Sequence, residues 1–191
     1  MQLKSALLGA VLTAAAFLAS NRVFSDDPPS GGPDPLMKLL QPGPEHEGLK
    51  TYEGSWEGKG TKRDMPWTSK MTGKMIMGGR FLQLDEELTV PTPGGPMVLH
   101  MLAIVGYDNV QKKLVHVSLG DGTTALSMAE GQHDATKKLN EIRGVEHWPG
   151  GRSVSNRFTI SDVADGAFHI ESFDDEGAGE QKVLIGDYKK K

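Results

Sequence analysis

From about residue 50 onward, apolar and polar positions alternate in short runs, and Gly, Asp, Asn or Pro separates one run from the next. About ten such runs follow one another, and none of them shows the spacing of a long amphipathic helix. The linkers are only a few residues long, so consecutive runs must pair as antiparallel neighbours. The pattern therefore predicts an all-β fold, a single antiparallel up-and-down β-barrel of about ten strands, because closure removes unpaired edges.

The predicted strands lie at 55–63, 68–77, 80–90, 97–107, 113–119, 123–133, 138–147, 152–160, 167–173 and 180–188. The fourth is apolar almost throughout, which predicts a central strand covered on both sides over part of its length. Ahead of the strands, Pro44 and Glu45 predict a short helix over 44–50, since proline suits the first helical turn and a carboxylate suits its positive end. We expect this N-terminal helix to plug one end of the barrel.

The first 25 residues read differently from the rest. Lys4 precedes an apolar run over 6–19, which is long enough for the core of a signal peptide and too short for a helix spanning a ~30 Å hydrocarbon layer. We predict a signal peptide over 1–25, an exported protein that is periplasmic or secreted, and contact with a membrane only through this segment. Cleavage after Ala19 or Ser20, or an uncleaved anchor, stays open as an alternative.

Residues 26–43 are rich in Pro and Gly, which predicts a flexible linker because such a segment cannot offset its ordering entropy. The remaining residues, 44–191, then form the barrel domain. The chain has no cysteine, so this domain has to be held by its hydrophobic core without a disulfide. The net charge of −4 and the absence of a basic run exclude nucleic acid as an expected partner. The sequence makes no prediction of the oligomeric state.

No catalytic or metal-binding pattern is recognisable in the sequence. The six histidines lack zinc-ligand spacing, and there is no Gly-x-Ser-x-Gly elbow. Asp85, Glu86 and Glu87 are adjacent on one strand, so their carboxylates alternate between faces instead of converging on one bond. We therefore predict no cofactor and no metal, and we favour a binding protein over an enzyme.

Several short motifs lie at strand boundaries: Gly54–Trp56, Gly78–Phe81, Gly106–Asp108 and Gly131–Asp134. In this order and spacing they resemble a bacterial family of uncharacterised secreted proteins, the domain of unknown function family 1579. The resemblance covers roughly 49–189 and implies a fold and export, but no reaction. One departure is the segment 117–121, where many members carry an aromatic residue and an Asp-Ser pair. More distantly, the early Gly-x-Trp and the ten-strand meander resemble calycin-like barrels, which include lipocalins, fatty-acid-binding proteins and nitrobindin-like haem barrels; this is an analogy of architecture.

Glu86 is the residue that departs most from the pattern. Strand parity places it among Leu82, Leu84 and Leu88 on the inward face, where a carboxylate is costly unless it is paired or hydrated. One interpretation is a polar group inside a cavity, opposite Asn156 or Arg143. The other is a β-bulge that turns Glu86 outward.

Two further candidates have both a structural and a functional interpretation. Trp56 is either a core aromatic or a ligand platform, and Arg80 is either a solvated turn residue or an inward clamp for an anion. The full set of candidate ligand-binding residues is Trp56, Arg80, Leu82, Leu84, Glu86, Met101, Tyr107, Asn156 and Phe158.

A barrel of more than about eight strands has more interior space than side chains readily fill. The leading hypothesis is therefore non-catalytic binding of a small apolar or amphipathic molecule, a lipophilic partner, in the barrel interior. The alternative is a structural or protein-interaction module of the cell envelope, with a filled barrel and a binding surface on its outer face.

Overall fold

The computed structural model describes residues 35–134, 139–148, 150–164 and 166–191. The predicted signal peptide over 1–25 and the first half of the predicted linker over 26–43 lie outside these residues, so the division into three segments stays a prediction. Within the described residues, no helix combines the length and the apolar character needed to cross a bilayer.

Ten strands make up the fold: β1 Gly54–Lys62, β2 Met65–Ile76, β3 Phe81–Thr92, β4 Gly95–Asp108, β5 Lys113–Gly120, β6 Ser127–Asp134, β7 Leu139–Trp148, β8 Arg152–Ala164, β9 Ala167–Asp175 and β10 Gln181–Lys190. Each strand pairs antiparallel with the next one along the chain. β1 also pairs with β10, with Trp56 opposite Lys190, so the sheet closes into a barrel. The predicted antiparallel up-and-down barrel is confirmed.

Helical segments precede the barrel: α1 Pro35–Leu39, α2 Pro44–Leu49 and a 3-10 turn over Lys50–Tyr52. The predicted short helix is confirmed as α2, with Pro44 in its first turn. We call the end of the barrel that these segments cover the plugged end. There β1, β3, β5, β7 and β9 begin. The opposite end, which is formed by the turns after those same strands, is the open end.

Side chains from α2 and the 3-10 turn close the plugged end. Leu49 is buried, and the ring of the buried His46 meets Tyr107 edge-on with centroids 6.1 Å apart. The Tyr52 hydroxyl accepts a hydrogen bond of 3.0 Å from Asn140 Nδ2. Burial disfavours the phenolate and raises the pKa of Tyr52 to about 12. The plug is therefore tied to β7 as well as to the strands beneath it.

Glycines on β1 and β10 let aromatic rings lie directly against the backbone. A Cβ added at Gly58 would lie 2.6 Å from the Tyr188 ring, and one added at Gly186 would lie 2.2 Å from the ring of Trp67. Gly60, on the neighbouring strand β1, lies against the same Trp67 ring, and a Cβ added there would lie 2.7 Å from it. A Cβ at any of these positions would force its neighbours to shift, so the close packing favours glycine at all three.

Two strand ends differ from the sequence-based prediction by four residues, and the others differ by less. β6 begins at Ser127 instead of residue 123, because Thr123 Oγ1 accepts a hydrogen bond from the Ala125 amide and holds that segment in a turn. β8 continues to Ala164, past the predicted end at 160, through a register shift at which Asp162 has φ of 53°. Such a bulge absorbs the extra residues without breaking the pairing with β9.

The prediction that β4 is covered on both sides over part of its length does not extend to its first residues. Val98 points outward and is 43% exposed, and in the described part of the chain no second layer lies over it. The apolar run therefore reflects an inner face that meets the barrel interior and an outer face that is partly open to solvent.

Candidate functional site

The barrel encloses a cavity of about 320 Å³. Leu49 and Tyr52 close it at the plugged end, while Lys62 and Glu146 lie on its rim at the open end. The wall between them is mostly apolar and includes Met71, Leu84, Leu88, Met101, Val105, Leu114, Ile142, Phe158, Ile160, Phe168, Ile170 and Leu184. The barrel interior is thus only partly filled by side chains, and the space has an apolar lining and a polar rim.

Two opposite walls of the barrel differ in side-chain size. On β1, β2, β9 and β10 the inward residues Trp56, Trp67, Phe168 and Tyr188 are all at most 5% exposed; we call them the aromatic wall. Their rings stack, with Phe168 and Tyr188 parallel to within 9° and their centroids 4.7 Å apart. On β4 to β7 the cavity is lined by small residues, which we call the small-residue wall: Ala103, Ser118, Ala129 and Gly144. The cavity lies where these short side chains leave space.

Glu86 lies in the cavity wall, as strand parity predicts. The Ser69 hydroxyl and the Tyr188 hydroxyl both donate hydrogen bonds to Glu86 Oε1. Burial, together with the negative charge of Glu86, raises the pKa of Tyr188 well above its usual range, so this hydroxyl stays protonated and remains a donor. The interpretation as an inward carboxylate is confirmed, and the outward bulge is excluded.

The partners of Glu86 are not the residues predicted to lie opposite it. Arg143 points outward, where its side chain is 60% exposed and its guanidinium pairs with Glu141 and Glu180. Asn156 does line the cavity, but its Nδ2 donates to Ser172 Oγ at 2.8 Å and to Asp174 Oδ1 at 2.9 Å. The expected pairing with Arg143 fails because strand parity on β7 turns that residue away from the interior.

Two polar atoms in the cavity-lining residues have no hydrogen-bond partner in the described part of the chain. They are the indole Nε1 of Trp67 and Nδ1 of His116. Burial lowers the pKa of His116 below its ordinary value, so the imidazole is neutral near pH 7. A buried donor or acceptor without a partner is costly, and native proteins have few of them.

The structure places five of the nine candidate residues in the cavity wall: Leu84, Glu86, Met101, Asn156 and Phe158. Leu82 and Tyr107, which were also expected to line it, lie outside the lining. Leu82 is fully buried in the core at the plugged end, and Tyr107 packs against His46 of α2. The helical plug takes up the space that strand parity alone assigns to the cavity.

Trp56 and Arg80 take the structural roles that the sequence left open. Trp56 is 2% exposed, packs edge-on against Phe168 and donates from its Nε1 to the Tyr52 carbonyl at 3.0 Å. Arg80 lies on the plugged end, where its guanidinium donates to the Leu40 carbonyl at 3.0 Å. Both residues therefore hold the plug against the barrel, and neither lines the cavity.

Sequence reasoning missed Trp67, Ser69, His116 and Tyr188. Tyr188 carried a signal, because it shares strand parity with Leu184 in an alternating segment. Ser69 and His116 carried no such signal, because a polar residue in a strand is expected to point outward unless the register is known. In the residues that the structure describes, no three His, Asp or Glu side chains cluster closely enough to hold a metal ion.

A family model described as "Protein of unknown function (DUF1579)" matches residues 41–190. The chain belongs to this family. The resemblance carried by the motifs Gly54–Trp56 and Gly106–Asp108 is thereby confirmed. Among curated proteins, no sequence is significantly similar to this chain.

Solved structures similar to this member of the family have low sequence identity. Rv2717c from M. tuberculosis has a TM-score of 0.57 and 13% identity, over 79% of this chain and 99% of that chain. The S-type phycobiliprotein lyase CPES from Guillardia theta has a TM-score of 0.49 and 10% identity, over 77% of this chain and 92% of that chain. The likeness to Rv2717c supports the barrel fold alone.

Proposed function

We propose that this protein binds a small apolar or amphipathic molecule inside its barrel, without catalysing a reaction on it. The observation that carries this proposal is the cavity of about 320 Å³, whose wall is mostly apolar and whose polar groups are few. Small-molecule sites typically have volumes of about 300–1,000 Å³ and this kind of lining. The cavity is at the lower end of that range, which favours a compact or slender guest.

The proposal includes an exported location, periplasmic or secreted. Its support is the sequence pattern of residues 1–25, a single lysine followed by an apolar run of signal-peptide length. A binding protein outside the cytoplasm fits a fold that has no cysteine and depends on its core alone.

Calorimetric titration of the full chain with decanol, a neutral probe, tests the proposal. We expect saturable binding of one decanol per chain. Ala103→Leu fills part of the cavity from the small-residue wall and should weaken this binding at least about tenfold. Ala164→Leu makes the same change at an exposed position outside the lining and should leave the affinity unchanged. No saturable binding, or equal binding by the Ala103→Leu protein, contradicts the proposal.

The alternative function, a protein-interaction module, is favoured by one observation. The outer face of β5 to β7 carries apolar side chains in neighbouring positions, with Leu119 49%, Met128 63% and Val145 47% exposed. Exposed apolar patches of this kind mark interaction surfaces in many proteins. This function ranks second because it leaves the cavity unexplained. Sedimentation at increasing concentration checks it, since self-association through this face raises the apparent mass.

A further inference from the structure

We propose that the guest is an amphipathic cation, an apolar molecule that carries a protonated amine, and that the cavity discriminates against carboxylates such as fatty acids. The inference rests on the proposed function, because it concerns the guest of the same cavity. The observation that carries it is the carboxylate of Glu86, which lies in the cavity wall without a cationic partner.

Glu86 lies in the middle of β3, with an apolar neighbour in the cavity wall two residues away on each side, Leu84 and Leu88. The hydroxyls of Ser69 and Tyr188 both donate to its Oε1, so two hydrogen-bond donors converge on one carboxyl oxygen. The geometry of these hydroxyls therefore stabilises a negative charge inside the barrel.

Neutral donors offset only part of the cost of a buried charge. Across the described ranges, no lysine, arginine or histidine lies within ion-pair distance of Glu86. The buried carboxylate of Asp174 has a different environment. Asp174, which is 6% exposed, accepts from the guanidinium of Arg63 at 3.0 Å. Asp174 thus has a cationic partner among the described residues, whereas Glu86 has none.

The other ionisable groups around the cavity do not reverse this charge. Glu146 adds a second carboxylate near the open end, and Lys62 supplies a positive charge on the exposed rim. His116 is neutral near pH 7, and the hydroxyls of Tyr52 and Tyr188 stay protonated. The inner part of the cavity is therefore negative.

A protonated amine complements these groups. Its N–H donors satisfy the remaining acceptor positions of Glu86, its charge is favourable in the low dielectric of the interior, and its hydrocarbon part covers the apolar wall. A carboxylate guest brings a second negative charge to the same place, where like charges repel strongly. A neutral alcohol lies between these two cases.

Three probes of equal chain length, decylamine, decanol and decanoate, test this inference by calorimetric titration of the full chain near pH 7 below their micelle concentrations. We expect decylamine to bind at least about tenfold more tightly than decanol, and decanoate at least about tenfold more weakly.

Glu86→Gln removes the charge and keeps the acceptor oxygen for Ser69 and Tyr188. It should abolish the preference for the amine and leave the affinity for decanol within about threefold. The matched control is Glu87→Gln, which makes the same change on the outer face of the same strand and should retain the wild-type ranking. Circular dichroism and thermal unfolding check that both variants are folded.

The outcomes separate the inference from the proposed function. Equal affinity for the three probes in the wild-type protein, or a preference for the amine that survives Glu86→Gln, overturns the inference and leaves binding in the cavity intact. Failure of both decanol and decylamine to bind overturns the proposed function itself.

Discussion

The aromatic wall and the small-residue wall belong to the same barrel and have the same strand geometry, yet the side chains of one are large rings that pack on one another and those of the other are short and leave space in the interior. In the aromatic wall, Trp56 and Trp67 are 2% and 3% exposed, and rings pack on one another across β1, β2, β9 and β10. In the small-residue wall, Ala103 and Gly144 face the interior and leave it empty. Side-chain size, not the number of strands alone, thus decides where this barrel is hollow.

The two walls also contribute differently to stability and to binding. Burial of large rings supplies most of the stability in such a core, because each removes a large apolar area from water. The opposite wall contributes less burial and keeps the space that a guest needs. Mutations in the two walls should therefore have different consequences.

Truncation in the aromatic wall should have the largest effect. We expect Trp56→Ala to lower the free energy of unfolding by about 3–5 kcal/mol, because it leaves a void in packed surroundings and removes the hydrogen bond to the Tyr52 carbonyl. Phe158→Ala, which alters a residue that borders the cavity, should cost less. Urea denaturation measures both losses. Equal losses would show that a ring bordering the cavity is packed as tightly as Trp56.

Crowding the glycine positions should have a smaller effect. In Gly186→Ala the added Cβ would lie 2.2 Å from the ring of Trp67, so the ring has to shift, and we expect a loss of about 1–3 kcal/mol in unfolding free energy. Gly43→Ala serves as the control, since an added Cβ there meets nothing within 4 Å. Thermal unfolding compares the two variants. An unaltered midpoint for Gly186→Ala would show that the Trp67 ring shifts at little cost in stability.

The smallest expected effect concerns His116, across from the aromatic wall. Its pKa is lowered by burial from the ordinary value of 6.5, so the unfolded chain binds a proton that the folded protein excludes. The free energy of unfolding should therefore fall as the pH drops below about 6.5, by at most about 1.4 kcal/mol per pH unit.

His116→Gln should reduce this slope, whereas His147→Gln, at an exposed position on the outer face, should leave it unaltered. Urea denaturation at a series of pH values between about 5 and 7.5 gives the slopes. Identical slopes for wild type and His116→Gln would contradict the burial of a neutral imidazole.

Most of the fold could be predicted from the sequence. Alternation of apolar and polar residues located all ten strands and the helix that begins at Pro44, because sheet pairing and a one-sided core impose a period of two. The errors fell at strand ends such as Ser127 and Ala164. At these ends a local hydrogen bond or a bulge determines where the strand begins or ends, and neither is visible in the alternation of apolar and polar residues.

The candidate site was predicted less completely. Strand parity correctly predicted that Glu86 points inward. Its partners Ser69 and Tyr188 lie on other strands, and the register of those strands relative to Glu86 cannot be read from the sequence of one strand. Leu82 and Tyr107 were assigned to the cavity because parity does not include the plug that covers them. The shape of the cavity depends on such non-local contacts.

Because β1 starts where β10 finishes, the segment from Pro35 and the terminal Lys191 both depart from the side sealed by α2, as the hydrogen bond from the Lys191 amide to the Ser55 carbonyl shows. Among the described residues, hairpin turns border the entrance on the far side. A fluorescent reporter or a surface linkage fused to Lys191 therefore leaves that entrance unobstructed, and immobilised protein can be presented to small molecules with its entrance facing the solution.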